Sequence, residues 1–501
     1  MKPHSLAPLS EEIELKLALP TSDPSSLAKR LAQTPVLARR PASRQQLHNI
    51  YFDTPGQLLR QQRVALRLRR IGSEVQPQWL QTLKTGGRDD SALSQRGEWE
   101  TPVPNDKLFL KALKATPWST IDPDGKVFRA LSPCFVTAFE RTSWLVRRRD
   151  GSVVEVALDV GQIVAGDKTT PVCELELELK AGPSAALFDI AQQIARTIAM
   201  LPSTMSKAQR GFALAQGTLD LPLHAQPQAL ASDLPLPATV QCVLREMFNQ
   251  FTANLNALCS SDEPEVVHQA RVGWRRFKSA IRFFKPALAS EAVPSWQALQ
   301  TLWMCLGELR DLDVARTETL PLLADAYLAG NDRRSQAWQA MTQALAQAAE
   351  LQRKAVRYAL QAPAVGACLL ATTQWLESLP ALNGTGEAAA KPKISLRRWT
   401  KGRILHLHRQ LRRALKDAES PDHLHRVRIL AKRIRYDIDA LRPLLPKRLT
   451  QREYRRAANL QATLGASRDV MQAAVLVAKL EVDRGLIEFL RGVAAGQGRQ
   501  S

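Results

Sequence analysis

Along the first 220 residues, apolar and charged side chains alternate with a period of two. In Glu12-Ile13-Glu14-Leu15-Lys16, a β-strand would send Glu12, Glu14 and Lys16 to one face and Ile13, Leu15 and Leu17 to the other. The pattern returns at 64–70, where Arg67 and Arg69 stand opposite Leu66 and Leu68, at 79–84, and at Arg96-Gly97-Glu98-Trp99-Glu100. It returns again at 135–148 with Glu140 and Arg141, at 153–160 with Glu155 and Asp159, and at 173–180, where Glu174, Glu176 and Glu178 face away from three leucines. Residues 48–55 read as an aromatic strand closed by a turn, and Gly86-Gly87 and Asp150-Gly151 as turns. Helices are predicted over 23–47, 106–116 and roughly 183–200, with 206–212 closing the unit. Seven or eight short strands, mostly antiparallel by their turn spacing, would close as a barrel.

After residue 238 the periodicity becomes helical and the composition Ala-, Leu- and Arg-rich, with breaks at Gly330-Asn331-Asp332 and 379–392. Residues 219–237, rich in Pro, Ala and Leu, read as a linker or a draped connector. An internal repeat is visible: His268-x2-Arg271-x3-Arg275-Arg276-x-Lys278 returns as His425-x2-Arg428-x3-Lys432-Arg433-x-Arg435. Leu306-Gly307-x2-Arg310-Asp311 follows the first histidine by 38 residues, and Leu464-Gly465-x2-Arg468-Asp469 follows the second by 39. The expected fold is α+β with two domains. An N-terminal antiparallel β-barrel (tunnel) with helices fills 1–218. After the linker, an all-α duplicated helical bundle fills 238–501, with repeats over about 238–380 and 393–490.

Charge sharpens this division. The chain of 501 residues is 45% hydrophobic, enough for real cores, and carries a formal net charge of +21. Residues 1–220 hold 29 basic against 23 acidic side chains (+6), and 221–501 hold 40 against 25 (+15). The second half is therefore the anion collector, and the first balances strong charges of both signs. Six scattered cysteines without a CxxC pair fit a reducing compartment. With no signal-peptide pattern and no long apolar run, the expected location is cytoplasmic, without a membrane span.

Burying many full charges is costly unless they pair or bind ions. One face of the barrel strands therefore reads as a water-filled tunnel, in which carboxylates hold a divalent metal and Arg and Lys hold a polyanion. On these residues the first half resembles the CYTH superfamily, the triphosphate tunnel metalloenzymes. Glu12-x-Glu14-x-Lys16 is similar to its ExExK signature. Tyr51-Phe52-Asp53-Thr54, Leu66-Arg67-Leu68-Arg69, Lys84, Arg96-Gly97-Glu98, Asp159-x-Gly161, the strand 174–178 and Ser206-Lys207 follow in the family's order, over about 8–218. The resemblance implies hydrolysis of inorganic triphosphate to pyrophosphate and phosphate with Mg²⁺ or Mn²⁺. It implies Arg67, Arg69, Lys84, Arg96, Arg141, Lys207 and Arg210 as substrate-binding, and Lys16, Lys84 and Glu98 as catalytic. Glu12, Glu14, Asp159 and the glutamates 174, 176 and 178 are its implied metal ligands. That strand has one glutamate more than needed, and Glu176 and Glu178 are favoured by their distance from Ala181-Gly182.

On a helix, offsets 0, 3, 7 and 10 line one face, so each repeat lays a basic stripe along about three turns. The repeat resembles the CHAD domain over about 238–490, and the resemblance implies inorganic polyphosphate as ligand. The stripes would supply His268, Arg271, Arg275 and Lys278, and His425, Arg428, Lys432 and Arg435. Their histidines, titrating near neutrality, are expected to add affinity as pH falls from about 7.5 to 6. Arg310 and Arg468 are read as partners of Asp311, Asp313 or Asp469 at helix contacts. Other readings remain open. One is a non-catalytic polyphosphate-binding or granule-associated protein; others are a thiamine or nucleoside triphosphatase and an adenylate cyclase. Nucleic acid is not expected as a specific partner.

Overall fold

Eight strands close on themselves because the first of them has two neighbours. They are β1 (Glu11–Ala18), β2 (Ala42–Asp53), β3 (Ala65–Ile71), β4 (Gln78–Lys84), β5 (Leu93–Val103), β6 (Ser132–Arg147), β7 (Val153–Ala165) and β8 (Lys168–Ala181). The order β5-β4-β3-β2-β6-β7-β8-β1 returns to its start through antiparallel pairing of β1 with β5. The computed structural model describes residues 11–21, 23–72, 77–87, 91–288, 292–329, 332–379, 395–416, 421–463, 466–480 and 482–500. They form two compact units, Met1–Leu221 with Leu360–Gln374, and Pro222–Ala359 with Trp375–Ser501. The helix Pro363–Ser378 begins in the first unit, where its Leu370 joins the core outside the barrel.

Alternation decides what faces where. The outward side chains of β1, β7 and β8, among them Leu15, Leu17, Val154, Val156, Leu175 and Leu177, are fully buried. They lie beneath α1 (Leu27–Ala32) and α2 (Ala185–Ile194), with Leu27, Leu31, Leu187 and Ile190 in the same cluster. The inward side chains are the charged ones, and register pairs them: Glu12 opposite Arg96, Lys16 opposite Glu176, Lys84 opposite Glu98, Arg141 opposite Asp159. A third helix, α3 (Lys207–Gln216), packs Phe212 edge-on against Phe135 at 5.0 Å, and Phe135 stacks on Tyr51 at 4.6 Å.

Two predicted helices are shorter than expected. The one over 23–47 is confined to α1 and a preceding 3₁₀ turn, because Ala42 already pairs with Trp144 of the 16-residue β6. Its Arg- and Gln-rich end has helical propensity, but the long partner strand takes its backbone hydrogen bonds. Over 106–116 there is a 3₁₀ turn, Leu110–Leu113, followed by short helices Trp118–Ile121 and Lys126–Arg129 that cover Leu66 and Leu83.

The second unit is helical: α4 (Leu236–Ala257), α5 (Pro264–Phe284), α6 (Gln300–Val314), α7 (Asp332–Leu360), α8 (Leu396–Lys416), α9 (Pro421–Leu441), α10 (Lys447–Thr463), α11 (Ala466–Lys479) and α12 (Arg484–Gln500). Aromatic side chains lock α4 to α5, with Phe251 against Trp274 at 4.9 Å and Phe248 against Phe277 at 5.2 Å. Arg276 is buried in a bidentate pair with Glu246 (2.9 and 3.1 Å). Ser279 of α5 donates to Asp437 of α9 at 3.0 Å. The expected connector is draped on α4: the Leu223 N–H donates to Asn254 and the Gln226 N–H to Glu246. The expected break at 379–392 falls almost wholly outside the described residues, as do Gly330 and Asn331. Among the described residues no helix is long and apolar enough to cross a membrane.

Gly161 is fixed by contact. A Cβ there would lie 2.2 Å from the Ala138 carbonyl oxygen and 2.4 Å from the Phe139 Cα, both on β6. Gly161→Ala should therefore destabilise the barrel by about 1–3 kcal/mol, as overpacking against backbone does. Chemical denaturation of the two proteins measures this; equal midpoints would refute it.

Candidate active site

The inward face of β1 meets the cations of β4 and β5. Lys84 Nζ lies 2.9 Å from Glu12 and 3.1 Å from Glu98, and Arg96 Nε donates to Glu12 at 3.0 Å while its Nη2 contacts Glu14. Lys16 Nζ pairs with Glu14 at 2.6 Å and donates to Ser94 at 3.1 Å. Burial raises the Glu14 carboxyl, but Lys16 and Arg96 outweigh it and hold the group below its usual value. Burial likewise opposes Glu98, yet Lys84 and then Arg67 bring it down to about 2.

On the other side of β1, the adjoining strands β8 and β7 gather carboxylates around one ammonium. Asp159, Glu174 and Glu176 each offer an oxygen, and these oxygens lie within 4.8 Å of one another. Lys207 sits among them, 2.6 Å from Asp159, 3.0 Å from Glu176 and in contact with Glu174. Its place is set by sequence: Ser206 caps α3, accepting from the Gln209 N–H at 3.2 Å, and Gln209 reciprocates at 2.7 Å. Burial would lower the Lys207 ammonium, but Asp159, Glu174 and Glu176 raise it well above the usual range. Arg141 forks onto Asp159 (2.7 Å twice) and reaches Glu176 at 2.6 Å. Against burial, Lys207 and Arg141 hold Glu176 far down, whereas burial wins at Glu174 and raises it.

The favoured pair Glu176 and Glu178 is not the one brought together here. Glu178 lies nearer solvent, 2.6 Å from Lys180, which also reaches Glu155 at 3.4 Å. Arg210 approaches Glu174 at 3.7 Å and donates to the Pro171 carbonyl at 2.6 Å.

Across the barrel from β8 and β1, β3 carries guanidiniums whose acid partners are distant. Arg67 is 3.5 Å from Glu98 and 3.9 Å from Glu100, and Arg69 is 3.8 Å from Glu100. The Arg67 Nε is buried with no hydrogen-bond partner among the described residues. Burial, then Arg67 and Arg141, depress the Arg69 guanidinium to about 10. Two side chains of β2 hold this cluster, and neither was singled out as a site residue from the sequence. Asn49, fully buried, accepts from Arg69 Nε at 2.9 Å and donates to Thr137 at 2.9 Å. Tyr51 lies beside Arg67, whose positive charge lowers its phenol against burial. A buried amide at even spacing from Tyr51 on a strand was the available signal. Asp53 of the same motif is structural, accepting from the backbone of Thr54, Leu59 and Arg60.

In the helical unit, His268, Arg271, Arg275 and Lys278 do share the half-exposed face of α5. Arg271 stacks on Trp303 at 4.7 Å, and its Nη1 and the Arg275 Nε are buried without hydrogen-bond partners among the described residues. Burial, then Arg310 and Arg275, hold the His268 imidazole at about 4. It stays neutral at pH 6 to 7.5, contrary to the expectation from an unperturbed histidine. On α9, Arg428 and Lys432 are half-buried, while Arg435 turns to α10, stacking on Tyr454 at 5.1 Å and contacting Gln461. The side chains of His425 and Arg468 lie outside the described residues, as do Leu464 and Gly465. Arg310 pairs with Glu318 at 2.8 Å rather than with a neighbouring aspartate.

Comparison with known proteins follows the same division. Residues 10–212 match the CYTH domain family and residues 242–478 the CHAD domain family. The inorganic triphosphatase of Haemophilus influenzae is 35% identical over 211 residues, 41% of this chain; the chain spans 55% of that relative's length. The solved CHAD domain from the plant Ricinus communis is 24% identical, with a TM-score of 0.45, over 56% of this chain and 92% of that one. A Hippeastrum adenylyl cyclase candidate described as having a dominant triphosphatase activity is 19% identical, with a TM-score of 0.29, over 42% of this chain and 98% of that one. The charged barrel and the helical region behind it are thus a CYTH domain followed by a CHAD domain.

Proposed function

We propose that the barrel hydrolyses inorganic triphosphate to pyrophosphate and phosphate, using a divalent cation. The observation that carries this reading is the tunnel's division into a carboxylate cluster and a loosely paired guanidinium cluster, joined through Arg141. The name of the Haemophilus relative supports it. The carboxylate cluster fits a hard cation: it is all oxygen, buried, and already holds the ammonium of Lys207 as a stand-in. Asp159, Glu174 and Glu176 would hold the ion, with Glu12 and Glu14 as a second pair; Mg²⁺ and Mn²⁺ both suit these donors. When bound, the ion neutralises charge on the phosphoryl oxygens.

The rest falls to the chain's own side chains. Arg67, Arg69 and Arg141 bind the anionic oxygens, with Asn49 and Tyr51 keeping the first two aimed inward. Lys84 and Arg96 take further phosphoryl charge, and Glu98, ionised at any working pH, holds Lys84 and Arg67 in place. Water attacks the terminal phosphorus in line with the bridging oxygen. Pyrophosphate leaves with the electron pair of the broken P–O bond, and a proton goes to solvent. Charge neutralisation and positioning account for most of the acceleration in such transfers.

For the helical region we propose binding of inorganic polyphosphate along the α5 stripe. The buried, unpartnered donors of Arg271 and Arg275 support that reading, because an anion would satisfy both.

Four measurements test these readings. Glu176→Gln should lower triphosphate turnover by about 10²-fold or more and weaken Mg²⁺ binding in calorimetry; normal turnover at limiting Mg²⁺ would sink the assignment. Glu98 has a folded pKa near 2 against an ordinary 4.5, so its stabilisation is complete above about pH 5 and fades as pH falls towards 2. Melting temperatures across that window should drop less steeply in Glu98→Gln than in the parent. Arg275→Glu with Lys432→Glu should weaken polyphosphate binding and flatten its salt dependence while sparing triphosphate turnover. With His268 neutral throughout, its contribution to affinity should not change between about pH 7.5 and 6; a gain abolished by His268→Gln would contradict this.

A further inference from the structure

At the C-terminal end of α5 the helical unit carries an open cleft of about 600 Å³, inside the usual range of small-molecule sites. Its lining is mixed: Ile281, Pro286, Leu288 and Val293 are apolar, and Arg282, Lys285 and Arg403 are cationic. The base is packed. Arg403 of α8 donates to the Phe283 carbonyl at 3.1 Å, taking one of the acceptors that the end of α5 leaves open. Phe284 stacks on Trp399 of α8 with ring centres 5.8 Å apart and planes 5° from parallel, and Phe283 meets the same ring edge-on.

Charge around the cleft does not balance. Beside Arg403, the half-buried Arg433 of α9 has an Nε with no hydrogen-bond partner among the described residues. Burial depresses its guanidinium, and the charges of Arg282 and Arg403 push it further against the pull of Asp437. Asp437, the acid facing Arg403 and Arg433, is fixed by Ser279, and burial raises its carboxyl to about 7. Among the described residues, four cations therefore meet one carboxylate whose burial favours its neutral form. A surplus of that size suits a doubly charged group better than a single carboxylate. The apolar lining gains nothing from a bare phosphate chain, but it does gain from a hydrocarbon or ring body.

We propose that this cleft binds a small organic phosphate, its phosphoryl group on Arg282, Lys285 and Arg403 and its apolar body against Ile281, Leu288 and Val293. The site is separate from the barrel and stands whether or not the α5 stripe takes polyphosphate.

The test is calorimetry on the full chain with 1-naphthyl phosphate, inorganic phosphate and 1-naphthol. Naphthyl phosphate should bind more tightly than either part alone. Val293 is 37% exposed and Arg282 also faces solvent, so Val293→Asp and Arg282→Glu should fold normally. Each should weaken naphthyl phosphate by about tenfold or more, the worth of one charged or apolar contact, without changing triphosphate turnover. The proposal is overturned if naphthyl phosphate binds no better than inorganic phosphate. It is overturned equally if both variants fold and bind it as the parent does, since the binding would then lie elsewhere, in the barrel or on the stripe.

Discussion

Closing a sheet around full charges of both signs leaves each charge dependent on the strand opposite. Removing one partner from a buried pair strands the other, and the desolvation cost then exceeds what most single contacts contribute. In this barrel the dependence is met by register. The antiparallel pairings that bring Glu12 to Arg96, Lys84 to Glu98 and Arg141 to Asp159 are also those that bury Leu15, Leu175 and Leu177 outside. A slip of one residue would move every charge into the outer core and every leucine into the tunnel. Fold and site are therefore one specification.

That coupling explains what could be read from the sequence. The alternation of leucine with glutamate or arginine identified the strands, their inward faces and the charges on them, because period two is a local property. The grouping within the tunnel was not local. Glu174, Glu176 and Glu178 are equivalent by alternation, and only the position of Lys207 on its capped helix separates Glu174 and Glu176 from Glu178, which meets Lys180 instead. Asn49 was equally hidden, since its role depends on Arg69 of the neighbouring strand. The early start of β2 was missed for a related reason: a polar stretch with helical propensity was claimed by a long partner strand.

In the helical unit the duplicated spacing was legible while the fates of the duplicated side chains were not. Equivalent positions met different neighbours: Lys278 of α5 remains half-exposed, whereas Arg435 of α9 is turned onto Tyr454. His268 illustrates the same limit chemically. Its type announces a group that titrates near neutrality, and its surroundings of two arginines and partial burial remove that property.

Lys207 gives the barrel a way to exist before any ligand arrives. With an ammonium tethered among Asp159, Glu174 and Glu176, the three carboxylates are compensated by the chain itself, so the fold does not have to wait for an ion to be supplied. On the proposed reading, entry of a foreign cation would be an exchange rather than a capture. The incoming charge would displace an ammonium anchored by a helix cap and leave it at the tunnel wall as a free positive group. An anion accompanying the ion would meet that group as an extra attraction, so cation and anion would be drawn in together more strongly than either alone.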